Sequence, residues 1–69
     1  MENIAANIKY LRKEKKLTQK QLGEMLNVSA DTVQKWERGI NRVPVTELVK
    51  IKEIFDVSLD VLVDKKMWR

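Results

Sequence analysis

Apolar residues in this chain recur three and four positions apart, and that spacing constrains the fold more than any other feature. Ile4, Ile8 and Leu11 form one such stripe, and Leu22, Met25 and Leu26 a second. Val33 and Trp36 form a third; Leu48 and Ile51 with Ile54 or Phe55 a fourth; Leu59 and Leu62 a short fifth. No run alternates with the period of a β-strand, and the chain has only two glycines and one proline, so the expectation is an all-α fold of five helices. At 69 residues without a cysteine, neither a disulfide nor a thiolate-metal site can supplement the core. Stability must come from close helix packing, with oligomerisation as a further source. The reading is one domain over residues 1–69, with its core at about 4–63 and a short tail at 64–69.

Start and stop signals divide the stripes. Asn3 is placed to cap the first helix. Lys9, Arg12, Lys13, Lys15 and Lys16 crowd the other positions near its end. They form either a solvated face complementing the helix dipole or a face turned to phosphate. Thr18 is the expected cap of the second helix, with Gln21 three residues on to close a capping box. Asn27 tolerates the left-handed conformation and can end that helix sharply. Ser29 opens the third helix and Gly39 stops it. After the loop "GINRVP", Pro44 suits the first turn of a fourth helix, and Ser58 caps the fifth, "SLDVLV".

Composition narrows the function. Lys and Arg number 14 against 10 Asp and Glu, a net charge of +4 that favours polyanionic partners modestly. With 35% charged and 43% hydrophobic residues, the chain is balanced enough to fold. Its apolar runs fall far short of the roughly 20 residues that span a bilayer, so no membrane role is expected. The start, "MENIAANIKYLRKEKK", lacks the apolar centre of a secretory signal and reads as mature fold. The cysteine-free composition fits a reducing cytoplasm. With no His and no Cys, the usual general base and thiol nucleophile are missing. Glu24, Asp31, Glu37 and Glu47 show no evident pairing, and there is no glycine-rich phosphate loop or metal-ligand spacing. No catalytic activity, cofactor, metal or small-molecule ligand is expected.

The informative constellation is a pair of short helices, Thr18 to Leu26 and Ser29 to Arg38, joined by Asn27 and Val28. Gly23 sits inside the first of them, where it costs roughly 1 kcal/mol relative to alanine. That placement makes sense if another helix crosses close above it. Leu22, Leu26, Val28, Val33 and Trp36 are spaced to meet between two crossed helices, as in a helix-turn-helix.

The stretch "LTQKQLGEMLNVSADTVQKWERG" and the later "FDVSLDVLV" resemble the lambda-repressor-like (Xre/Cro-type) helix-turn-helix family over roughly residues 4 to 63. Its most specific parts are "TQ" opening the second helix, "VS" before the third, "WERG" ending it, and the distant "VSLDVL". In order and at these spacings they form a strong signal.

The resemblance implies a DNA-binding regulator whose helix 29–38 lies in the major groove. Gln19 would bond a phosphate and buttress that helix. By motif position Ala30, Asp31 and Lys35 would face base edges, and Thr32 or Gln34 would reach the backbone or a flanking base. Lys35 can donate to guanine, Asp31 can accept from cytosine, and Ala30 can pack on a thymine methyl. Asp31 also suits the positive end of a helix dipole, and one residue can do both. Glu37 resembles the glutamate that pairs structurally with a first-helix arginine, here Arg12. Trp36 continues the Val33 stripe and reads as core rather than as a base-stacking platform.

Arg38, Asn41 and Arg42 fall where the family often contacts phosphate. Ile40 and Val43 depart from positions that are frequently basic, and Asn27 stands where glycine is more usual. "SLDVLV" and the tail match a region through which many relatives dimerise; Met67 and Trp68 either add apolar area there or form a frayed end. The expected partner is double-stranded DNA, bound by a homodimer that represses transcription from a near-palindromic operator. The alternative is a protein-interaction module on the same scaffold, such as an antitoxin-like partner or an antagonist of another regulator.

Overall fold

Backbone chemistry explains where the first four helices of this chain stop. The computed structural model describes residues 2–63, with side chains from residue 4 onward. It contains α1 (Glu2–Glu14), α2 (Gln19–Leu26), α3 (Ala30–Glu37), α4 (Val45–Phe55) and α5 (Leu59–Val63). Met67 and Trp68 lie outside the described residues.

At the N-termini, side chains take up amide groups that the helix cannot pair itself. Thr18 Oγ1 accepts from Gln21 N–H at 3.0 Å while Gln21 Oε1 accepts from Thr18 N–H at 2.8 Å, a closed capping box. Ser29 Oγ accepts from Thr32 N–H at 3.1 Å, and Ser58 Oγ from Val61 N–H at 3.3 Å. Two boundaries differ from the sequence-based expectation. α1 already begins at Glu2, so Asn3 lies inside its first turn rather than capping it. Pro44 sits one position before α4 in an extended conformation (φ −59°, ψ 149°), where its fixed φ and missing N–H are both harmless.

Four helices end alike. Lys16 (φ 57°), Asn27 (φ 61°), Gly39 (φ 73°) and Asp56 (φ 54°) each turn left-handed just past the last helical turn. In each case the turning residue's N–H reaches back three residues, and the next N–H reaches back five. Thus Asn27 donates to Glu24 O at 3.3 Å and Val28 to Gly23 O at 2.8 Å; Gly39 donates to Trp36 O at 3.1 Å and Ile40 to Lys35 O at 3.0 Å. This pair of hydrogen bonds satisfies orphan carbonyls and folds an apolar residue back over the helix. Leu17, Val28 and Val57 pack on the core in that way, whereas Ile40 stays largely exposed. A left-handed turn costs an ordinary L-residue about 1–2 kcal/mol, least for Asn and Asp, so Lys16 is the most strained of the four.

Ile8, Leu22, Leu26, Val33, Trp36, Val43, Ile51, Phe55 and Leu62 form one buried cluster. Ile4, Leu11, Leu48 and Ile54 pack against it. α2 lies mainly on α3, while α1 runs beneath α3, α4 and α5. Fully burying each large apolar side chain contributes roughly 1.5–3 kcal/mol. Two assignments are corrected here, and one loop residue gains a role in the core. Met25 is 54% exposed and Leu59 43% exposed, so neither belongs to the core. Val43, assigned to the loop, is buried and pins the loop from beneath.

Asn7 is the buried polar residue that joins the two ends of the fold. Its Nδ2 donates to Leu62 O at 2.6 Å and lies 3.4 Å from Val61 O. Those carbonyls belong to the last described turn of α5. The shortest helix is therefore held by a side chain from α1.

Candidate nucleic-acid interface

α3 is fixed from three sides and open on the fourth. Its inner stripe, Val33 and Trp36, is buried, with Val33 fully inaccessible. Its N-terminus is held by Ser29, whose hydroxyl also lies 2.9 Å from Thr32 Oγ1. Thr32 is thereby engaged in the cap and half-buried.

The third restraint is charged. Arg12 Nε donates to Glu37 Oε2 at 2.6 Å and Nη2 to Oε1 at 3.1 Å, a two-pronged contact between α1 and α3. Arg12 Nη1 donates to Leu17 O at 2.7 Å, tying in the turn before α2. Both side chains are nearly removed from solvent, at 10% and 3% exposure. Arg12 therefore does not belong to the solvated basic face at the end of α1, where Lys9, Lys13, Lys15 and Lys16 are exposed. Gln19 Nε2 adds a bond to Glu37 Oε1 at 3.2 Å. Gln19 thus stands at the start of α2 with its side chain braced on α3.

The α2 N-terminus beside it has amide groups to spare. The capping box takes up Thr18 N–H and Gln21 N–H, leaving Gln19 and Lys20 as the remaining first-turn donors. Such groups at the positive end of a helix dipole suit an anion.

The open side of α3 carries Ala30, Asp31, Gln34, Lys35 and Arg38. Asp31, Gln34 and Arg38 are exposed, and Ala30 and Lys35 half-buried. Asp31 and Lys35 lie one turn apart and meet, with Nζ to Oδ2 at 3.2 Å. Their spacing of four along the helix is the sequence signal that pairs them. Beyond Arg38 the loop is folded back, because Lys35 O accepts from Ile40 N–H at 3.0 Å and lies 3.5 Å from Asn41 N. Buried Val43 holds the other end, so Asn41 and Arg42 are presented outward between two anchors. Gln19, the outer edge of α3 and the Asn41–Arg42 loop are therefore each held in place by α3 or by the core.

Gly23 explains how α2 and α3 approach. A β-carbon there would lie 2.7 Å from Val28 O and 3.2 Å from Ser29 C and O. What crosses it is the backbone of the turn entering α3, not the body of another helix.

Among the described residues no group of acidic, His or Cys side chains could hold a metal ion, and no helix is long and apolar enough to cross a membrane.

Comparison with known proteins gives this arrangement a context. A helix-turn-helix family model matches residues 8–62. An HTH-type transcriptional regulator of Rickettsia conorii is 40% identical over 57 residues, covering 83% of this chain and 46% of the relative. The HTH-type transcriptional regulator YqaE of Bacillus subtilis is 37% identical over 59 residues, 86% of this chain and 51% of its own. The HTH-type transcriptional activator BcrR of Enterococcus faecalis is 40% identical over 55 residues, 80% of this chain and 27% of its own. The chain thus spans about half or less of the length of these curated relatives. No solved structure matches it. Over the matched residues the similarity is to helix-turn-helix transcriptional regulators and not to an enzyme family. The motif order, the braced third helix and these similarities agree: the chain belongs to the lambda-repressor-like (Xre/Cro-type) helix-turn-helix DNA-binding family.

Proposed function

We propose that this chain is the sequence-reading module of a cytoplasmic transcriptional regulator that binds a near-palindromic operator as a homodimer. The observation that carries this is α3 itself, buried through Val33 and Trp36 and clamped through Glu37, yet open along Ala30, Asp31, Gln34 and Lys35. In this reading the helix enters the major groove. Ala30, Asp31 and Lys35 meet base edges, and Gln34, or Thr32 beside its cap, reaches the backbone or a flanking base. Gln19, Arg38, Asn41 and Arg42 meet phosphates on either side.

Two features support pairing of copies. The Cα framework measures 27 × 23 × 22 Å, less than the roughly 34 Å between major-groove faces one turn apart, so one copy serves one half-site. Leu59 and Val63 are exposed one turn apart on α5, 43% and 50% accessible, which suits a small apolar contact between copies. Repression follows where the operator overlaps a promoter, since the bound dimer then occupies the polymerase's site.

The test is a mobility-shift titration at physiological salt. The protein should shift DNA from upstream of its own gene far better than a scrambled duplex, and lose affinity steeply as salt rises. Gln19→Ala should weaken all sites alike. Equal shifts on both duplexes would contradict sequence-specific binding and favour a protein-interaction role for the same scaffold.

A further inference from the structure

The Asp31–Lys35 pair is the feature of the open face that individual base contacts do not account for. Residues four apart on a helix have α-carbons about 6 Å apart along the axis, whereas stacked base pairs lie about 3.4 Å apart. Side chains projecting straight outward would therefore address different base pairs. These two converge instead, bringing Nζ within 3.2 Å of Oδ2. Both remain accessible, at 45% exposure for the lysine side chain and 65% for the aspartate.

We propose that Asp31 and Lys35 read one base pair together, as a single donor–acceptor unit that selects G·C in one orientation. The proposal rests on the reading that α3 enters the major groove. An ammonium has three N–H groups; with one spent on Asp31, two remain. The carboxylate keeps lone pairs for a further donor. Across its major-groove edge a G·C pair presents two guanine acceptors, N7 and O6, and then the cytosine amino donor. Two lysine donors meet two acceptors, and the carboxylate meets the one donor.

Other pairs match less well in the same orientation. T·A offers a methyl group, the thymine acceptor, the adenine amino donor and, beyond it, adenine N7, so one lysine bond is lost. A·T sets the adenine amino donor against the lysine and the thymine acceptor against the carboxylate. C·G reverses the match throughout. The expected order is G·C, then T·A, with A·T and C·G disfavoured. A unit with no net charge adds little attraction to phosphates, so its effect falls on discrimination rather than on general affinity.

The test is selection from a random duplex pool with the parent, Asp31→Ala, Lys35→Ala and the double variant. Affinities are then measured with each of the four base pairs at the affected position. Both single variants should lose preference at the same base pair, each by about 5- to 150-fold, and the double variant should lose no more than either single one. Preferences lost at two different base pairs, or losses that multiply, would overturn the proposal and leave the DNA-binding function standing. So would an Asp31→Ala variant that binds every sequence more tightly with its preferences intact. A parent protein that enriches no site would overturn the underlying function, and this proposal with it.

Discussion

Replacing Glu37 with alanine is expected to cost about 3–5 kcal/mol, because it leaves the Arg12 guanidinium buried without its counter-charge. A domain of this length has a total stability on the order of 3–10 kcal/mol, so the variant sits at or below the threshold for folding. The loss has three parts: the two-pronged contact from α1, the bond from Gln19, and the desolvated charge left behind. Arg12→Met with Glu37→Leu should recover most of the stability, since an apolar pair of similar size needs no counter-charge. Urea denaturation of the single and double variants checks this. A Glu37→Ala protein as stable as its parent would show that the pair contributes nothing. The double variant should still bind DNA more weakly at all sites, because Gln19 has lost its brace.

Gly23→Ala is expected to destabilise by about 1–3 kcal/mol even though alanine is the better helix former by roughly 1 kcal/mol. The added carbon would meet Val28 O at 2.7 Å, and the atom it meets is backbone, which cannot swing aside as a side chain would. Moving Val28 and Ser29 moves the entry to α3. DNA affinity should therefore fall by more than the loss of stability alone explains. Thermal melts and mobility shifts on the same variant separate the two effects. Unchanged melting and unchanged binding together would show that the turn yields freely.

The helix-turn-helix was legible because local chemistry and packing agree there. Thr18 with Gln21, Asn27, and Ser29 each carry a side chain suited to the backbone conformation they adopt. Lys16 and Asp56 adopt the same left-handed turn as Gly39 without glycine's signature, so those boundaries rest on the apolar residue that follows. Met25 and Leu59 fit a spacing of three or four yet face solvent. Such spacing defines a stripe, but the neighbouring helices decide how much of it is covered. Val43 was hidden because a single apolar residue between Arg42 and Pro44 has no period. Its burial comes from joining the same core cluster as Ile51 and Phe55. The open edge of α3 was legible as positions; the contact between Asp31 and Lys35 needed side-chain geometry as well.

The most direct test of the central claim, that α3 is the surface that meets DNA, is to map backbone amide chemical shifts while titrating a duplex selected by the protein. The changes should concentrate at Gln19, along residues 29–38 and at Asn41 and Arg42. Changes centred instead on Lys9, Lys13 and Lys15 of α1, with α3 unmoved, would contradict it.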